Sequence, residues 1–214
     1  MHWETDPDRL LAFFDEQSTG STFKPSQQPT EIKALYSRVL ALRPQSVLEI
    51  GTNCGGTLFL FCRAAAPNAT IISLDLPQGR FGGGYHPARI PLYRSFASPS
   101  QRIRLLRMDS HQPAALARVQ TSLRGKSLDF LFIDGDHTYE GVRKDFYTYG
   151  PLIRDGGLIA FHDIVPVPLA LGGEVPRFWG EIKARFPHQE FIQDPTQNCM
   201  GIGLIEVPPG GLRL

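Results

Sequence analysis

The stretch Ser46-Val47-Leu48-Glu49-Ile50-Gly51-Thr52-Asn53-Cys54-Gly55-Gly56 decides how the chain folds. Its first five residues form a short apolar run that breaks into glycine, and a helix-like segment over 56–66 follows, stopped by Pro67-Asn68. The order is strand, turn, helix. Glycines in such a turn let backbone approach a ligand closely, and the N-terminus of the following helix offers unpaired N–H groups to a carboxylate or phosphate. A dinucleotide-type loop needs GxGxxG, with the second glycine two places after the first to make room for a pyrophosphate. Asn53 stands at that place. The pattern is instead E-x-G-x-x-x-G with an acid at the strand end, which suits a cationic amino-acid ligand carrying no pyrophosphate.

Working outward, the same grammar repeats. Residues 70–74 read as a strand ending in Asp75, and 104–108 as one ending in Asp109. Residues 128–133 are nearly all apolar and run into Asp134-Gly135-Asp136-His137, with a helix over about 138–149 behind them; 157–161 end in His162-Asp163. Upstream, helices are predicted over 10–16 and 30–42, the second with Thr30 as N-cap and Pro44 beyond its end. Downstream, a helix is predicted near 177–186, and 189–193 with 201–207 read as a closing β-hairpin. Continuous apolar strands interleaved with helices indicate a parallel sheet covered on both faces, because alternation is expected where one face meets water. The class is therefore α/β, doubly wound, in which ligands bind outside the carboxyl ends of the strands near the topological switch point. No linker or repeat divides the chain, so 1–214 is expected to be one domain, with N-terminal helices over 1–43 and a ligand-binding core over 44–207.

Five strand-end signals in order, VLEIGTNCGGT, the acid at Asp75, MDS at 108–110, LDFLFIDGDHTYEGVRKDF and GGLIAFHDI, together resemble class I S-adenosylmethionine-dependent methyltransferases. More narrowly, they look like the bacterial group related to cephalosporin-biosynthesis and macrolide-sugar O-methyltransferases. The likeness runs over about 30–207. It implies a Rossmann-like, mostly parallel seven-stranded sheet with an antiparallel last strand, in keeping with the terminal hairpin. It also implies that Glu49, Gly51, Thr52, Asn53, Gly55 and Gly56 hold the amino-acid end of S-adenosylmethionine, that Asp75 and Leu76 hold its ribose, and that Asp109 and Ser110 meet the adenine edge, with Asp134 alongside. Relatives of the cephalosporin type place a magnesium ion at the ends of strands four and five, which projects onto Asp134, His162 and Asp163 here. An acid commonly stands where this chain has His162, and a hard ion such as magnesium prefers oxygen ligands.

Methyl transfer is an in-line displacement, and a hydroxyl acceptor must also lose its proton. His137 follows a strand end inside the expected cleft and is the candidate base, with Asp163 as the second catalytic residue. Asp136 or Thr138 is expected to cap the helix that follows, the cap being the favoured role of Asp136, and Tyr139, Val142, Phe146 and Tyr149 follow helical spacing and are expected to pack. Residues 78–107 carry Gly82-Gly83-Gly84 and six arginines, with no Asp or Glu between Asp75 and Asp109. A solvated basic surface explains most of them; a lid that meets an acidic acceptor is the alternative reading.

The 22 basic and 21 acidic residues leave a net charge of +1, which excludes a global field that recruits nucleic acid or an anionic membrane. The N-terminus is rich in charge and lacks a leader pattern, and no stretch is long and apolar enough to span a bilayer, so a cytoplasmic protein is expected. Cys54, Cys62 and Cys199 have neither disulfide nor zinc spacing and are expected to be reduced and mostly buried. The expected function is O-methylation of a small hydroxylated metabolite or natural product by a protein free to form a homo-oligomer. A nucleic-acid methyltransferase and a non-catalytic cofactor-binding protein are the alternatives.

Overall fold

The computed structural model describes residues 4–16, 23–82, 84–167 and 173–212. Two helices, α1 (Pro7–Glu16) and α2 (Pro29–Leu42), precede the first strand, β1 (Ser46–Ile50). Then come α3 (Gly56–Ala64), β2 (Thr70–Asp75), α4 (Ile90–Ser95), β3 (Arg102–Arg107), α5 (Pro113–Leu123), β4 (Leu128–Ile133), α6 (Tyr139–Tyr149) and β5 (Ile153–His162). The chain finishes with α7 (Val175–Lys183), β6 (His188–Phe191) and β7 (Ile202–Glu206). The seven strands lie in the order β3-β2-β1-β4-β5-β7-β6. Strands β1 to β5 are mutually parallel, and β7 runs antiparallel to both β5 and β6.

The interior strands are buried on both sides, which is why they read as unbroken apolar runs. Val47, Ile71, Phe130 and Phe132 point to the face covered by α1, α2 and α3; Leu48, Ile72, Leu131 and Ile133 point to the face covered by α5, α6 and α7. The two edge strands differ: β6 exposes His188, Gln189 and Glu190, and β3 exposes Arg102 and Arg104, a charged edge that discourages pairing with another sheet.

Several local expectations are corrected. Thr30 does not cap α2: Gln28 holds the cap position with Pro29 at the first turn, and the Thr30 hydroxyl donates to Gln193 Oε1 at 3.1 Å. A proline, with φ fixed near the helical value and no N–H to leave unpaired, is pre-organised for the first turn of a helix. Asp136 is not the cap of α6; Thr138 is, accepting from the Gly141 N–H at 3.0 Å, while Asp136 Oδ1 accepts the N–H of Thr138 itself at 2.9 Å. Helices α4 and α5 had no signal read from the sequence. Val142, Phe146 and Tyr149 are buried as expected, and Tyr139 packs its ring against Phe178 at the edge of the same core while its hydroxyl reaches Glu181. Of the cysteines only Cys62 is fully buried, and all three are free thiols. No described helix is long and apolar enough to cross a membrane.

Candidate functional site

Strand order reverses between β1 and β4, so the loops leaving their carboxyl ends diverge around a crevice. The two loops are locked together at their bases. The Asp134 N–H donates to Ile50 O at 2.8 Å, and Gly51, at φ +89°, lies so close to the Asp134 carbonyl that a Cβ there would stand 1.9 Å from its oxygen. Only glycine fits. Around the crevice a cavity of about 510 Å³ opens, within the size range of small-molecule sites.

One end of the cavity is made of backbone. Residues Gly51 to Gly56 line it, with Asn53 and Gly55 in the left-handed region, and α3 begins with no side chain capping its N-terminus. Asp75 Oδ2 accepts from the N–H groups of Thr52 (3.1 Å) and Asn53 (2.8 Å), which pins the loop to the end of β2. Burial raises the Asp75 pKa, and the loop amides oppose that rise. Tyr93 of α4 holds the loop from outside: its hydroxyl donates to Asn53 O at 2.7 Å, and its ring is 2.6 Å from where a Gly55 Cβ would sit. Leu76, Asp109 and Ser110 line the same cavity. Asp109 accepts from the His111 N–H at 2.8 Å and the Gln112 side chain at 3.1 Å. Glu49 is different: it lies beneath the loop, entirely buried and off the cavity wall, accepting from Thr52 Oγ1 at 2.7 Å. Burial pushes its pKa up to about 8, against the hydrogen bonds from Thr57 and Thr52.

The other end is made of charged side chains. Asp134 Oδ1 is 3.1 Å from His162 Nδ1 and 3.5 Å from His137 Nε2, while Asp163 Oδ2 is 3.0 Å from His137 Nδ1 and its Oδ1 is 3.4 Å from His162 Nδ1. Asp163 reaches both rings because its backbone is left-handed, at φ +59°, held by the following N–H groups on Gly201 O and Met200 O. Ligand atoms of Asp134, His162 and Asp163 all lie within 4.8 Å of one another. Burial works against charge on both histidines, yet the two carboxylates prevail and carry His137 up to about 9 and His162 up to about 10. Burial works against ionised Asp134 and Asp163 as well, and the same rings hold both acids below the usual carboxylate range. Two imidazoles are thus the local counter-charge of two carboxylates.

Four features of the site carried no signal in the sequence reading. Gln27, from the segment between α1 and α2, donates Nε2 to Asp134 Oδ2 at 2.8 Å. Phe81 stacks on His137 at 4.8 Å between ring centroids and 9° between planes, with the Arg80 guanidinium over the far ring at 5.4 Å. His111 lines the cavity with Nε2 3.2 Å from Gly141 O and 3.4 Å from the buried carboxylate of Asp145. Met200 closes the wall near Asp163. Of the predicted glycine run, Gly82 and Gly84 have positive φ, and Gly83 lies outside the described residues.

This sheet order, with one cavity along the carboxyl edge at its switch point, defines a doubly wound α/β protein built to hold a small molecule. Residues 48–164 match the family described as "Methyltransferase domain", and the chain belongs to that family. It is 29% identical over 167 residues to an uncharacterised protein, y4gI, of Sinorhizobium fredii, a match that takes in 77% of this chain and 17% of that much longer one. Among solved structures it is similar to an O-methyltransferase from Bacillus cereus in complex with SAH, at TM-score 0.61 and 16% identity, covering 95% of this chain and 91% of that one. It is also similar to the MycE methyltransferase of mycinamycin biosynthesis in complex with Mg and SAH, at TM-score 0.59 and 19% identity, covering 97% of this chain and 55% of that one. The shared feature is the Rossmann-like methyltransferase fold.

Proposed function

We propose that the chain transfers the methyl group of S-adenosylmethionine to a hydroxyl of a small acceptor. The observation that carries this reading is one cavity with two unlike ends: uncapped backbone and a buried carboxylate at one, a pair of carboxylates with two histidines at the other. The first end fits the cofactor. Gly51, Thr52, Asn53, Gly55 and Gly56 would meet its amino-acid end, Asp75 and Leu76 its ribose, Asp109 and Ser110 its adenine, with Asp134 between the two ends. Glu49 serves from below, by fixing Thr52. When bound, S-adenosylmethionine supplies an electrophilic methyl carbon.

At the second end, Asp134 and Asp163 favour the imidazolium of His137 up to about pH 9, so the ring must first give up its Nε2 proton. In that neutral form it takes the proton of the acceptor hydroxyl at Nε2, while Asp163, at 3.0 Å from Nδ1, keeps the remaining N–H and fixes the tautomer. A divalent cation held by Asp134, His162 and Asp163 would lower the hydroxyl pKa as a Lewis acid. Magnesium is the ion bound in the MycE relative. Arg80 lines the cavity beside Phe81, so an acceptor carrying a carboxylate or phosphate would find a partner there. The test is thermal melting with S-adenosylhomocysteine against NAD. At a hundredfold excess over Kd the first is expected to stabilise by about 2.7 kcal/mol, and NAD by less. Equal or greater stabilisation by NAD overturns the cofactor assignment. A screen of hydroxylated metabolites with and without divalent cations, read by mass spectrometry for the gain of one methyl group, then tests turnover.

A further inference from the structure

The cation end contains a donor that a magnesium site does not favour. Asp134, His162 and Asp163 put one imidazole nitrogen between two carboxylates, and His162 Nδ1 is the atom that faces both acids, at 3.1 and 3.4 Å. The ring is almost wholly buried, at 5% exposure, so it cannot swing aside and let water take its place. Magnesium demands near-octahedral oxygen coordination and keeps its waters, whereas imidazole nitrogen suits first-row transition ions.

A second observation, independent of the cluster, comes from Gln27. Its side chain is about nine-tenths buried, and its Nε2 is 2.8 Å from Asp134 Oδ2. A carboxylate oxygen accepts and cannot donate, so the amide must present nitrogen to it. The oxygen at the other end of the same planar amide, Oε1, is buried with no hydrogen-bond partner among the described residues. A buried acceptor left without a partner beside the cluster calls for an ion or an ordered water there. The same contact ties down Asp134 Oδ2 and leaves Oδ1 toward the two imidazoles, the kind of outer support that orients a metal-binding carboxylate.

On the basis of the reading above, we propose that Asp134, His162 and Asp163, supported by Gln27, form a site for a divalent transition ion of the manganese, iron or cobalt type in preference to magnesium. His162 is the residue that sets the preference, and Gln27 acts through Asp134 as a positioning residue.

The test reads metal binding without turnover. The full chain is stripped with chelator and titrated with Mn2+, Co2+ and Mg2+. Wild type is expected to bind one Mn2+ or Co2+ at least ~100-fold more tightly than Mg2+, and His162→Asp to narrow that ratio at least ~10-fold by exchanging nitrogen for oxygen. Pulsed electron paramagnetic resonance of the Mn2+ form should show nitrogen coupling that His162→Asp removes. Gln27→Ala should weaken Mn2+ roughly 10-fold or more while keeping the nitrogen coupling. Mg2+ affinity within tenfold of Mn2+ in wild type, absence of stoichiometric binding, or nitrogen coupling that survives in His162→Asp would each overturn the assignment. Stabilisation by S-adenosylhomocysteine is measured on each variant. If it persists where the metal result fails, only the cation inference is lost; if it is missing from wild type, the methyltransferase reading fails first.

Discussion

The two ends of the cavity are built from different materials. The end formed by β1 and α3 depends on where backbone can go: Gly51 against Asp134 O, Gly55 against Tyr93, amides pinned on Asp75. The end formed by β4 and β5 depends on charge: two acids and two imidazoles gathered from loops, with Gln27 and Phe81 brought from distant segments. A backbone site tolerates almost no added atom but survives loss of a charge. A charge site keeps its shape when a side chain is trimmed and loses its chemistry. Substitutions at the two ends should therefore fail in opposite ways.

The largest effect is expected at Gly51. Gly51→Val puts a Cβ 1.9 Å from a main-chain oxygen at φ +89°, and neither the strand nor the β4 loop can retreat. Denaturant unfolding should show a loss of about 4 kcal/mol or more, at the extreme of single substitutions. Gly125 supplies the control, since it too has positive φ, +79°, but nothing lies within 4 Å of its Cβ position. Gly125→Ala should cost about 1 kcal/mol, from strain alone. Equal costs at the two positions would mean that close approach does not govern the loop.

At the charged end the loss should appear chiefly in rate, with some stability lost as well because Asp134 and Asp163 keep only His162 as counter-charge. His137→Ala is expected to lower methyl transfer to a verified acceptor by roughly 10²–10⁴-fold, the usual share of one positioned acid–base group, with the affinity for S-adenosylhomocysteine unchanged. Undiminished rate would remove His137 from the chemistry and leave it as the ring on which Phe81 stacks.

This division also explains what could be read from the sequence. A backbone site is local: Glu49 to Gly56 are consecutive, and the spacing of glycines states the turn, so strand, loop and helix were legible before any contact was known. Strand-end acids were legible too, because parallel strands bring their carboxyl ends to one edge. What escaped depends on contacts far apart in the chain. Gln27 and Asp134 are separated by 107 positions, and nothing in the segment Lys24-Pro25-Ser26-Gln27 marks it as part of a site. Where Glu49 lies is not legible for a different reason: its side chain sinks under the loop and off the cavity wall, and strand periodicity does not say which face that is.

Glu49 offers the third test. Burial raises its pKa from the ordinary 4.5 to about 8, so between those values the folded chain keeps a proton that the unfolded chain has released. Folding stability attributable to this group is therefore full below about pH 4.5 and lost as pH rises toward 8. Glu49→Gln has no such proton to lose. Measured at several pH values, the stability of the variant relative to wild type should climb through that window at up to about 1.4 kcal/mol per pH unit, by a few kcal/mol in all. A difference that stays flat with pH would show that Glu49 is ionised or solvated in the folded protein.

The smallest effect, and the one that tests whether the two ends act separately, belongs to Asp75. Its Oδ2 holds the amides of Thr52 and Asn53, and its carboxylate also lines the cavity, so Asp75→Ala removes a loop anchor and a ligand contact together. The expected loss of S-adenosylhomocysteine affinity is about 1.5–3 kcal/mol, the worth of hydrogen bonds to one charged group. Asp75→Asn separates the parts, because an amide oxygen still accepts from the loop while the charge is gone. If the loop contact dominates, Asn should keep most of the affinity that Ala loses; if direct contact with ribose hydroxyls dominates, both variants should weaken binding alike and only Ala should lower the melting temperature. In either case metal binding at Asp134, His162 and Asp163 should stay within a fewfold of wild type. A larger change there would mean that the Asp134 to Ile50 link at the base of the two loops carries strain from one end of the cavity to the other.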